Sequence, residues 1–277
     1  MATCVLVFSD LLATASHVAQ VAAAVSAPLR ARLVLLRLCL TPEPEVLSVP
    51  GVRLPTTQAD AVPDLPDAPE TELVVSEKPL AEAVAEAVRR YQPLLLVMSL
   101  SAKPTLLDEL LRDQALPVLR ATGLPLLLIP PTATPAIPRR VAVAVDSRAF
   151  LLDAGSRALT PLFYLWPATY TVVHVVAEGE QQAFPGQRAL ASIRGSKLLA
   201  DQPLELYEEQ HGPAADGVLR ALDAIPADLL VLPVRAHSFW SQLFHHSVTT
   251  QVLRGSRVPV LLPAAGRPQA EWLPDVC

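Results

Sequence analysis

Residues 229–262 read LLVLPVRAHSFWSQLFHHSVTTQVLRGSRVPVLL: an apolar run of strand length, a proline-broken loop, a helical stretch, and a second apolar run entered through Val258 and Pro259. The same plan occurs about 134 positions earlier. Laid over one another without a gap, Leu95, Leu96 and Val97 fall on Leu229, Leu230 and Val231, and Ala102 falls on Ala236. Val118, Leu119, Arg120 and Pro125 fall on Val252, Leu253, Arg254 and Pro259. Self-similarity at a fixed period marks a repeated supersecondary unit. Upstream, the run Val5 to Phe8 that ends at Asp10 is matched by Val141 to Val145 ending at Asp146. Two acidic residues therefore stand at the carboxyl ends of equivalent first strands.

Working outward, apolar runs alternate with segments of helical period. The first half reads as strand Cys4–Phe8, helix Leu11–Ser26, strand Leu33–Leu40, strand Leu73–Val75, helix Pro79–Tyr91 capped by Ser76, strand Leu94–Met98, helix Thr105–Thr122 and strand Leu124–Ile129. Seven prolines between Thr41 and Glu70 leave little room for a regular helix there, so that segment reads as a long connection. The second half reads as strand Val141–Val145, helix Phe150–Leu162, strand Tyr170–Val176, helix Gln187–Ala200, strand Leu204–Tyr207, helix Pro213–Leu222, strand Leu229–Leu232, helix Phe239–Arg254 and strand Val258–Leu262. Strands that are apolar on both faces and alternate with helices specify parallel sheets covered on both sides. Right-handed crossovers make each half a doubly wound α/β sandwich. The expected boundaries are a first domain at 1–131 with a proline-rich insertion at 41–70, a stiff linker at 132–138, a second domain at 139–265, and a tail at 266–277.

Composition narrows the function classes. The chain has 277 residues, 51% hydrophobic and 18% charged, with a formal charge of −5. No basic run supplies an electrostatic footprint for nucleic acid or an anionic membrane, so neither is expected as a partner. No stretch reaches the roughly 20 apolar residues that cross a bilayer, and the opening residues, which enter a strand almost at once, carry no expectation of a secretory signal. A cytoplasmic location is the expectation. Cys4, Cys39 and Cys277 stand far apart in no metal or redox spacing; Cys4 and Cys39 read as small buried strand residues.

Open parallel sheets bind ligands outside the carboxyl ends of their strands, where the strand order reverses. That rule sets Asp10 beside Ser99–Pro104 and Asp146 beside Pro233–Ser238. With the segment His237 to Thr249 followed by Val258 to Leu262, these features resemble the universal stress protein family, its two-domain members above all. The carboxyl part of the second half carries the specific likeness; the first half follows through the repeat. The resemblance implies two five-stranded, Rossmann-like, doubly wound parallel sheets in tandem. It also implies a pseudo-dimer of the two halves joined along their last strands, with a homodimer of the whole chain as a further expectation.

One branch of that family binds ATP through Gly-x2-Gly-x9-Gly-Ser/Thr. At the matching positions this chain has Pro233, Ala236, His246 and Ser247, and in the first half Ser99, Ala102, Arg112 and Asp113. Glycines there allow positive φ and bring backbone N–H groups to phosphate, whereas proline has no N–H and a left-handed alanine costs about 1 kcal/mol. The first expectation is therefore a non-enzymatic binding or regulatory protein of stress response, with no cofactor, no catalytic residue and an unidentified protein partner. The alternative is a member that binds ATP with Mg, hydrolysing it slowly if at all, in an altered crevice of Asp146, Pro233, Arg235, Ala236, His237, His246 and Ser247. There arginine, histidine and hydroxyl side chains would replace backbone donors. His237, His245 and His246 lack the spacing of a metallohydrolase helix, so no metal is expected. Trp166, Trp240 and Trp272 read as core or interface residues. Glu205, Glu208 and Glu209 read as a solvated approach to a helix.

Overall fold

A computed structural model describes residues 3–9, 12–38, 70–100, 122–176, 183–210, 212–235 and 248–266. The described elements of the first half are β1 (Cys4–Ser9), α1 (Leu12–Ser26), β2 (Arg32–Leu38), β3 (Thr71–Ser76), α2 (Leu80–Tyr91), β4 (Leu95–Ser99) and β5 (Leu126–Ile129). Those of the second are β6 (Arg140–Ala144), β7 (Leu151–Leu152), α3 (Ala154–Arg157), α4 (Thr160–Leu165), β8 (Thr169–Val176), α5 (Pro185–Ser196) and β9 (Leu204–Gln210). They continue with α6 (Ala214–Ala224), β10 (Leu229–Val231), β11 (Val234–Arg235), α7 (Val248–Gly255), β12 (Val260–Leu262) and β13 (Ala264–Gly266).

Ten strands form one sheet in the order β3-β2-β1-β4-β5-β12-β10-β6-β8-β9. On each side of the middle the strands are parallel, and the order doubles back at β1 and again at β6. The middle is an antiparallel seam of β5 and β12, pairing Leu126 with Leu262, Leu127 with Leu261 and Leu128 with Val260. The fold is thus α/β and Rossmann-like, with five parallel strands on either side of the seam.

Because the sheet is covered on both faces, its central strands are apolar in both directions, and alternate residues feed two cores. On one face Leu6, Leu96 and Leu128 continue into Ala142, Leu230 and Leu262 under α2, α6 and α7. On the other, Val5, Val97 and Leu127 continue into Val143, Leu229 and Leu261 under α1, α4 and α5. Each core crosses the seam without a break, and each fully buried aliphatic side chain contributes about 1.5–3 kcal/mol. Trp166 ties the halves further: its indole N–H donates to the Val25 carbonyl at 2.8 Å, and its ring meets Phe163 edge-on at 5.1 Å. The segment between the halves is also held, with the Thr132 hydroxyl donating to the Arg257 carbonyl at 2.9 Å.

Three local expectations are corrected. Phe150–Leu162 is not one helix: Leu151–Leu152 is extended and pairs with Gly266 and Ala265 of β13, and two short helices follow. Burial explains it, since Phe150 and Leu152 point into a core while Leu151 is exposed, an alternation of period two. Ser76 does not cap α2; its hydroxyl accepts the Lys78 N–H at 3.2 Å, and Pro79 stands at the cap position. Glu208 and Glu209 join Glu205 as strand residues, because β9 runs to Gln210 instead of ending at Tyr207. Helix Thr105–Thr122 lies almost wholly outside the described residues, as do the 41–69 segment, most of Phe239–Arg254, Cys39, Cys277, Trp240 and Trp272.

Candidate functional site

The second reversal of strand order, between β6 and β10, opens a crevice of about 390 Å³ at the carboxyl ends of the strands. Its walls are mostly hydrocarbon. Val173 and Val175 come from β8, Val218 from α6, and Leu232, Pro233 and Val234 from the turn after β10. Val248 and Thr249 of α7 close another side. Gly217 lets α6 sit this near, since a Cβ there would stand 2.7 Å from the Val175 Cγ1.

Among the described residues, the charged groups of the crevice are Asp146 and Arg148. Asp146 follows β6 and does not cap a helix; it accepts the Arg148 backbone N–H at 3.1 Å through Oδ1. Its Oδ2 accepts the Arg148 guanidinium at 2.8 Å from Nε and 2.6 Å from the second nitrogen. Both side chains are substantially exposed, at 41% and 72%, so the pair is solvent-screened and open to exchange of partners. Behind it, buried His174 lies with Nδ1 3.1 Å from the Val145 carbonyl oxygen. A carbonyl only accepts, so this contact assigns the proton to Nδ1.

A second, three-stranded sheet of β11, β13 and β7 builds the rim. Val234 pairs with Ala264 and Arg235 with Ala265, while the Ser156 hydroxyl accepts the Ala264 N–H at 2.8 Å in a buried position. Neither this sheet nor the Arg148 contact was anticipated. The signal for the second was the spacing Asp146-x-Arg148, which suits a side chain turning back on its neighbour's carboxylate. The two-residue bridges left no periodic signal.

Of the expected site residues, Asp146 and Pro233 meet at the crevice. Arg235 lies in β11, one residue beyond lining Val234, through its backbone. Ala236, His237, His246 and Ser247 fall outside the described residues, as do Asp10, Ala102, Arg112 and Asp113. Among the described residues no cluster of three metal-ligating side chains occurs, and no helix is long and apolar enough to cross a membrane.

Residues 138–262 match the Universal stress protein family. No curated protein matches the sequence at significant similarity. Among solved structures, the fold is similar to a universal stress protein from Archaeoglobus fulgidus DSM 4304, at 12% identity and a TM-score of 0.56, covering 93% of this chain and 95% of the other. It is also similar to a protein from Pseudomonas aeruginosa UCBPP-PA14 provisionally described as a universal stress protein. There the identity is 17% and the TM-score 0.53, over 95% of this chain and 94% of the other.

Proposed function

We propose that this chain, with a universal stress protein domain at residues 138–262 and a diverged second copy before it, is a non-enzymatic binding or regulatory protein of stress response. The observation that carries the reading is the chemistry of the 390 Å³ crevice: among the described residues, mostly hydrocarbon walls and the Asp146 carboxylate, engaged by Arg148. Both oxygens of that carboxylate accept hydrogen bonds from Arg148, which makes it a polar anchor at the mouth of the crevice. The same group is a good orienting acceptor for a ligand's N–H or O–H. The volume falls in the range of small-molecule sites, roughly 300–1,000 Å³. The ligand's binding state would then be read by a protein partner, in the cytoplasm, with no nucleic acid or membrane involved.

The second reading is an adenine nucleotide, and the crevice itself favours it. A flat ring would lie between Val173, Val218 and Pro233, Asp146 would accept a hydrogen bond, and Arg148, once released, would face phosphate. The missing glycines argue for weak phosphate contact. Thermal unfolding with adenosine and with Mg-ATP separates the readings. A ligand at a hundredfold excess over its Kd stabilises by about 2.7 kcal/mol. Mg-ATP raising the midpoint by several degrees, with the rise lost in Asp146→Ala, supports the nucleotide reading. No shift with either compound at millimolar concentration removes it and leaves the regulatory reading with another ligand class.

A further inference from the structure

The amino ends of the strands carry a second hollow, and the first half of the same molecule displays what fits it. The register fixes the comparison. The Leu94 N–H donates to the Cys4 carbonyl at 2.8 Å, as the Asp228 N–H donates to that of Arg140 at 2.9 Å. Cys4 opposes Arg32 and Val34 opposes Glu72; Arg140 opposes Thr169 and Thr171 opposes Glu205. Glu72 and Glu205 therefore occupy one position. Tyr91, at the end of α2 and before the strand residue Leu95, corresponds to Ile225, at the end of α6 and before Leu229.

In the first half this corner is full. Tyr91 is 8% exposed, its hydroxyl donates to Glu72 Oε1 at 2.6 Å, and the Arg32 guanidinium lies 5.3 Å from the ring centroid. In the second half isoleucine replaces the tyrosine, and a hollow of about 110 Å³ opens, lined by Arg140, Thr169, Thr171, Glu205, Ile225 and Ala227 among others. The cation has moved one strand over, from the Arg32 position to that of Cys4. Arg140 and Glu205 both line this space, and they are not among the ion pairs of the described residues. The Thr171 hydroxyl donates to Glu205 Oε2 at 3.5 Å.

We propose that this hollow binds a small phenol, with the ring on Ile225 and Ala227 against the Arg140 guanidinium and the hydroxyl donating to Glu205. Tyr91 makes the same set of contacts with Glu72 and Arg32. Charge selects the class. An ammonium would satisfy Glu205 but meet Arg140, and an anion would do the reverse. A neutral ring with one O–H donor satisfies both, through a charge-assisted hydrogen bond and a cation–π contact.

The test is a titration of the full chain with p-cresol, followed by amide NMR. Saturable shifts at Thr171, Glu205 and Ala227 are expected, with a Kd of about 1 mM for a ligand of this size. Toluene, which lacks the hydroxyl, binds about tenfold more weakly, and Glu205→Gln weakens p-cresol several-fold. Ile225→Tyr fills the hollow, abolishes binding and raises the unfolding temperature. Absence of saturation by about 20 mM, equal binding of toluene, or unchanged binding to Ile225→Tyr overturns the proposal. Shifts confined to the residues around Asp146 also overturn it, because they place the phenol in the crevice.

Discussion

Trp166 shows how much one side chain carries across the molecule. Its N–H donates to the carbonyl of buried Val25, so Trp166→Phe removes that donor from a buried acceptor at about 1–3 kcal/mol. The unfolding midpoint should fall by about 2–4 °C per kcal/mol, and an unchanged midpoint would show the contact to be dispensable. Tyr91 gives a pH signature. Burial, and then its hydrogen bond to Glu72, hold the phenol above its ordinary value. A raised acid favours the neutral form in the folded state, so its contribution is full below about pH 10 and is lost as pH rises through the folded value. Urea midpoints from pH 8 to 11 should therefore fall less steeply in Tyr91→Phe than in the parent. Asp146 was legible in the sequence because a polar residue ends an apolar strand. Arg148 was not singled out, because its one signal, the two-residue spacing from Asp146, is local and lies outside any strand or helix period.

At the scale of elements, α6 depends on one absent methyl group. A Cβ on Gly217 meets both Val175 methyls, at 2.7 and 2.8 Å, so Gly217→Ala must push the helix outward or turn Val175 into the crevice. A cost of about 1–3 kcal/mol is expected in chemical denaturation, against the gain of up to about 1 kcal/mol that alanine gives in an open helix. Edge strand β9 is tied to the same helix. The Arg220 Nε–H donates to Glu209 at 2.8 Å, and this bond, then that from Tyr207, hold the Glu209 carboxyl below its usual range. A lowered acid stabilises above its unfolded value and loses that contribution as pH falls through the folded one. The difference in stability between the parent and Glu209→Gln should be full at pH 7, begin to shrink near pH 4, and disappear only as the pH falls further, through the folded value. The long elements were readable because burial on both faces leaves unbroken apolar runs. The strand–helix–helix passage from Leu151 to Leu165 was not, because each piece is shorter than two periods of its own pattern.

For the whole molecule, two cores continuous through the β5–β12 seam make the halves one cooperative body. Calorimetry should show a single transition whose van't Hoff and calorimetric enthalpies agree; two resolved transitions would break that account. Amides of β4, β5, β12 and β10 should exchange slowest, and those of edge strands β3 and β9 fastest. The repeat at about 134 residues made the strand order legible, while the seam was an expectation drawn from the resemblance. Its antiparallel direction has a consequence for what the molecule can do. Reversing polarity at the centre turns the two halves head to foot, so the Asp146 crevice shares its rim of the sheet with the Tyr91–Glu72 corner, while the hollow at Glu205 opens on the opposite rim. The two proposed sites would then lie at opposite rims of one sheet, so a ligand in one would sit a whole strand length away from a ligand in the other.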